Sequence, residues 1–146
     1  NLDAAYDGLK DFSGVLRRLE EKGTFKGITI LDDFAHHPTA IKSTIEAVEE
    51  KYSGKKILNI IELGSNTMSG GFHGEELFSI DNLDSEILWL DHKSTLKNNK
   101  GNICNSHDDL IKSVSKNYSN FDIILIMTNK SSKNIFEPLR EIIEAD

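Results

Sequence analysis

This chain has little cysteine, little proline and no excess of positive charge. The single cysteine, Cys104, rules out an internal disulfide and a multi-cysteine zinc site. It suits a reducing compartment, and a cytoplasmic location is expected. Only two prolines occur, Pro38 and Pro138, and no repeat or low-complexity stretch marks a linker. No apolar run approaches the ~20 residues of a membrane-spanning helix, so no membrane partner is expected. Lys and Arg total 17 against 24 Asp and Glu, a formal net charge of -7, which argues against the basic stripe of a nucleic-acid binder. There is no signal-peptide pattern, and Asn1 stands where an initiating Met would. That start is expected of one domain cut from a longer protein. With 146 residues the chain is long enough for one domain with a real core.

What is present alternates short apolar runs with amphipathic windows, the pattern of α/β layering. Leu2 to Leu9 is helix-compatible, and Val15 to Glu20 reads as a short strand broken by Gly23. Gly27 to Leu31 is β-rich and runs into Asp32 and Asp33. Pro38 suits the first position of a helix reaching about Tyr52, with Ile41, Ile45, Val48 and Tyr52 on one face and Lys42, Glu46, Glu49 and Glu50 opposite. Lys56 to Ile61, Glu86 to Leu90 and Asp122 to Met127 read as buried strands, and Asn102 to Cys104 as a short edge strand. A Gly/Ser/Asn loop from Glu62 to Gly74, a short helix around Glu75 to Ser79 and a polar stretch from Lys93 to Gly101 lie between them. Ser106 with Asp109 resembles a capping box, and Ile135, Leu139, Ile142 and Ile143 mark the last helix. Strands separated by helices predict a Rossmann-like, mostly parallel sheet with helices on both faces, with room for one antiparallel strand.

In such sheets ligands bind beyond the carboxyl ends of the strands. Three segments fall there: Asp32 to Pro38, Glu62 to Gly74, and Thr128 to Asn134. The first, Asp-Asp-Phe-Ala-His-His-Pro, places two carboxylates and two imidazoles in a turn entering a helix. Carboxylates can accept ribose hydroxyls there, and a helix N-terminus favours a phosphate. The same residue types also serve as plain turn caps and solvated side chains, and pattern alone does not separate the two. His36 and His37 lack further ligands at a fixed spacing, so no metal site is assigned. Arg17-Arg18 could clamp an anion or stand solvated at a strand edge. The Gly64 to Gly71 loop lacks G-x-x-x-x-G-K-[ST] and is no P-loop. Trp89 and Cys104 read as packing residues.

Phe12-Ser13-Gly14-Val15-Leu16-Arg17-Arg18-Leu19-Glu20, followed a strand later by Asp32-Asp33-Phe34-Ala35-His36-His37-Pro38-Thr39, resembles the start of the C-terminal domain of Mur ligases. Ser65-Asn66-Thr67-Met68 looks like the subfamily that recycles cell-wall peptide. The resemblance covers essentially the whole chain, so residues 1–146 are expected to form one such domain. It departs in three places. Glu62-Leu63-Gly64 stands for the usual Glu-Pro-Arg, Ser69 replaces a Lys, and Lys130-Ser131-Ser132-Lys133 replaces a Gly-rich loop.

The resemblance implies a three-domain, ATP- and Mg²⁺-dependent amide ligase. Its N-terminal domain would hold a UDP-sugar, its central domain the P-loop and most Mg²⁺ ligands, and its third would close over ATP and receive the incoming amine. The implied reaction joins recycled tripeptide to UDP-N-acetylmuramate through an acyl-phosphate. By position, Arg18 matches the family arginine that reaches the ATP phosphates, and Asp33 the acid that bonds the ribose. Phe34 and His36 would flank the nucleotide, with His37 beside them. Ser65, Asn66 and Thr67 would face the peptide. On this reading the domain's partners are ATP, both substrates and the enzyme's own other two domains, and the isolated domain is expected to be inactive. The rivals are another Mur or folylpolyglutamate-type ligase domain, and a free-standing α/β binding module.

Overall fold

The structure is a computed structural model, and it describes residues 18–63, 80, 85–94, 96 and 102–146. The expected helix at Leu2 to Leu9, the loop after Leu63 and the short helix at Glu75 to Ser79 lie outside these residues. In chain order the elements are β1 Glu20–Phe25, β2 Ile28–Asp33, α1 Pro38–Lys51, β3 Ile57–Glu62, β4 Glu86–Leu90, β5 Asn102–Cys104, α2 His107–Ser115, β6 Ile123–Met127 and α3 Lys133–Ala145. A single 3₁₀ turn at Tyr118–Asn120 precedes β6.

The six strands form one sheet in the order β1-β2-β6-β3-β4-β5. Every neighbouring pair is parallel except β1 with β2. The expectation of a mostly parallel sheet with one antiparallel strand is met; of the strand expected at Val15 to Glu20, Val15 to Arg17 lie outside the described residues and only Glu20 falls in the antiparallel strand. Arg18 and Leu19 form a bend, and the strand begins only at Glu20 and continues through Gly23. Gly23 does not break it: φ of 144° and a register shift between Glu21 and Gly23 make this a bulge. A side chain there would also be strained, since a Cβ would come 2.8 Å from the Phe25 ring. Lys26 and Gly27, both at positive φ, close the hairpin in two residues, as a primed turn requires.

Alternation along the strands splits the core into two layers. Ile28, Ile30, Leu58, Ile60, Leu88, Leu90, Ile124 and Ile126 face α2 and α3 through Leu110, Val114, Ile135, Leu139 and Ile143. Leu31, Ile57, Ile61, Ile87, Trp89, Ile123, Leu125 and Met127 face α1 through Ile41, Ile45 and Val48. Both sheet faces are therefore covered, which is why β6 reads as a continuous apolar run and β3 as a nearly continuous one. At α2 the Ser106 hydroxyl accepts the Asp109 N–H, the cap expected from the sequence. β6 lies between β2 and β3, so the carboxyl ends of β2, β6, β3 and β4 line up along one edge.

Candidate functional site

The two acids at the end of β2 part company. Side chains on a strand alternate faces, so adjacent residues cannot serve one site. Asp33 turns toward α1. It accepts the Leu19 N–H at 2.8 Å, the Ala35 N–H at 2.9 Å and the Thr44 hydroxyl at 3.3 Å. Asp32 turns to the other face, where the Ser132 hydroxyl at the start of α3 donates to it at 2.9 Å. Both are buried.

Asp33 thereby shapes the surface next to it. Its bond to Leu19 ties down the chain beside Arg18, and its bond to Ala35 sets the turn that turns Phe34 outward. Phe34 is 38% exposed, one of two large apolar side chains among the described residues that are so open to solvent. Its ring meets His36 edge-on at 5.3 Å, and His36 Nδ1 lies 3.0 Å from the Phe34 carbonyl. His37 is extended at the N-cap, Pro38 occupies the first turn, and no side chain caps α1. These residues surround a cleft of about 380 Å³ lined by Arg18, Phe34, His36, His37, Ala40 and Thr44. A guanidinium, an exposed ring and a helix N-terminus in one cleft can hold an anionic group with an aromatic body. Of the residues singled out from the sequence, Arg18, Phe34, His36 and His37 come together here, and Asp33 lies beneath them. Arg17, Ser65, Asn66 and Thr67 lie outside the described residues.

The opposite face of the same edge carries polar groups that the sequence reading did not join. Glu62, 1% exposed at the end of β3, accepts the Thr128 hydroxyl on Oε1 at 2.7 Å. His92 Nε2 lies 2.9 Å from its other oxygen and His107 Nε2 3.6 Å from the same atom. A carboxylate closing a mostly apolar buried strand was the available signal. The two histidines sit in different segments with no diagnostic spacing, so only the fold could bring them together. A larger cavity, about 590 Å³ beside Lys55, Lys56, Ser85 and Asn120, lies at the amino ends of β3 and β4, away from this edge.

Set beside known proteins, residues 17–129 match the family described as "Mur ligase, glutamate ligase domain". The chain is 45% identical over 76 residues to the UDP-N-acetylmuramate--L-alanyl-gamma-D-glutamyl-meso-2,6-diaminoheptandioate ligase of Escherichia coli, an alignment covering 51% of this chain and 16% of that protein. It is 38% identical over 82 residues to the UDP-N-acetylmuramate--L-alanine ligase of Salinibacter ruber, covering 56% of this chain and 17% of the relative. Among solved structures, a murein peptide ligase from Psychrobacter arcticus superimposes with a TM-score of 0.78 at 29% identity, over 99% of this chain and 35% of that one. The chain thus spans less than a fifth of the curated relatives it matches.

Proposed function

The chain belongs to the Mur ligase, glutamate ligase domain family, and on that premise we propose that it is the C-terminal domain of an ATP-dependent ligase acting on recycled cell-wall peptide. The complete enzyme joins the tripeptide to UDP-N-acetylmuramate, works in the cytoplasm, and this domain closes over ATP. The observation that carries the reading is the convergence of Arg18, Phe34, His36 and His37 on one cleft above Asp33. The greater identity to the tripeptide ligase than to the L-alanine ligase favours the peptide as the amine.

ATP supplies the phosphoryl group that activates a carboxylate, and the residues here bind and orient it. The Arg18 guanidinium offers a planar pair of donors to phosphate oxygens, and its charge counts most where phosphoryl negative charge builds up. The free N–H groups of the first turn of α1 add donors of the same polarity. Phe34 and His36 present ring surface to the nucleotide. Asp33 already accepts three hydrogen bonds, and a carboxylate has about four acceptor positions, so one remains for a ribose hydroxyl. Mg²⁺ does not fit this cleft: its described lining holds no carboxylate, and a hard cation selects oxygen ligands. The metal's ligands are proposed to lie mainly in the enzyme's central domain. Ser65, Asn66 and Thr67 are proposed to face the peptide.

The test is ligation by the intact enzyme with tri-, tetra- and pentapeptide amines. Arg18→Ala is expected to lower kcat/KM by about 10- to 1000-fold, the loss of one to two charge-assisted phosphate contacts. Unchanged kinetics in that variant would remove Arg18 from the nucleotide site, and failure to ligate any cell-wall peptide would remove the substrate assignment.

A further inference from the structure

We propose that Glu62, His92 and His107 form a binding site for a divalent transition metal of the zinc class, on the sheet face opposite the nucleotide cleft. The inference is independent of the ligase reading, because it rests on the geometry of these side chains alone.

One ligand atom from each residue lies within 4.8 Å of the other two. Zinc bonds of about 2.0–2.1 Å in tetrahedral geometry place neighbouring ligand atoms about 3.3 Å apart. The distances from Glu62 Oε2, 2.9 Å to His92 Nε2 and 3.6 Å to His107 Nε2, bracket that separation. Both imidazoles thus direct a ring nitrogen at the same carboxylate oxygen, and the rings sit 5.0 Å apart. A single divalent cation accepts a lone pair from each neutral ring and neutralises the carboxylate.

The surroundings hold the ligands in place. The Thr128 hydroxyl fixes Glu62 by its other oxygen, the outer-shell bond that orients a ligating carboxylate. His107 opens α2, whose start is set by the Ser106 cap. His92 follows Asp91, whose backbone is bonded to Cys104 and whose carboxylate accepts the Leu96 N–H at 2.7 Å. The three ligands come from the end of β3, the turn after β4 and the first turn of α2, so the site is built on anchored backbone. Two His and one Glu make a three-ligand set of the kind that leaves a fourth position open. That position would face a cleft of about 280 Å³ shared with Lys130, Ser131 and Asn134, whose donors suit an anionic or water ligand on the metal.

Zn²⁺ titration of the chelator-treated chain without nucleotide, by calorimetry, tests the site, with Co²⁺ absorption reporting coordination number. One equivalent should bind with micromolar or tighter affinity, and Co²⁺ should give the intense visible bands of a four-coordinate site. His92→Ala and His107→Ala, both at partly exposed positions, should each weaken binding at least about tenfold and abolish those bands. Thr128→Val should weaken binding about tenfold while the fluorescence of buried Trp89 remains native. The absence of bound Zn²⁺, which would leave an ordinary histidine–glutamate ion pair, would overturn the proposal. Binding indifferent to both histidine substitutions would overturn it equally.

Discussion

Asp33→Ala separates bracing of the fold from ligand contact, and its size can be worked from the hydrogen bonds. The change orphans three donors. The Ala35 N–H is buried, and leaving it unpaired costs about 1–3 kcal/mol. The Leu19 N–H and the Thr44 hydroxyl are only partly buried, so water can reach them and each loses about 0.5–1.5 kcal/mol. Because all three share one carboxylate, the terms do not add in full, and about 2–5 kcal/mol is expected. At about 3 °C per kcal/mol for a domain of this size, Tm should fall by about 6–15 °C. Asp33→Asn keeps one acceptor oxygen and should lose about half as much. Urea unfolding followed by circular dichroism and by Trp89 fluorescence, without nucleotide, gives the measurement, and the sole tryptophan, 0% exposed, reports the core directly. A loss below about 0.5 kcal/mol would refute the reasoning, since it would mean that solvent satisfies all three donors and that Asp33 does not brace the loop.

Two further outcomes follow from the fold. Ile126 sits fully buried on the central strand β6, and Ile126→Ala should cost about 2–5 kcal/mol in the same urea experiment, more than any substitution at exposed Ile103. The Tyr118 hydroxyl donates to Asp146, and that bond, then burial, then the Asp146 charge hold its ionisation above the ordinary tyrosine value of 10.0. A group whose folded-state pKa is raised stabilises the fold below its unfolded value, so this contribution should be present below about pH 10 and disappear as pH rises through the folded pKa. Tyrosinate absorbance should show one tyrosine titrating late, and Asp146→Asn should bring it earlier.

Much of the architecture was legible because each layer imposes its own period. β6 lies buried on both faces and reads as an unbroken apolar run, and β3 as a nearly continuous one interrupted by Asn59, while α1 carries Ile41, Ile45 and Val48 at helical spacing against Trp89 and its neighbours. The cap at Ser106 and the proline opening α1 are local devices, readable from a few adjacent residues. β1 beyond Glu20 was missed because its sequence is polar and interrupted by glycine. An edge strand in a hairpin buries too little to leave an apolar signature, and the bulge at Gly23 looks like a break in one dimension.

The chemistry divides along the same line. The sequence by itself determined that Asp32, Asp33, Phe34, His36 and His37 would gather in a polar turn at a strand end, because they are adjacent along the backbone, whereas the β1–β2 hairpin brought Arg18 to them. Only the tertiary structure decided that Asp32 and Asp33 serve opposite faces, since the alternation of a strand separates neighbours in the chain by the full thickness of the sheet. It alone also decided that Glu62, His92 and His107 meet, because β3, β4 and β5 pair side by side in parallel and bring together strand ends whose residues the sequence holds far apart.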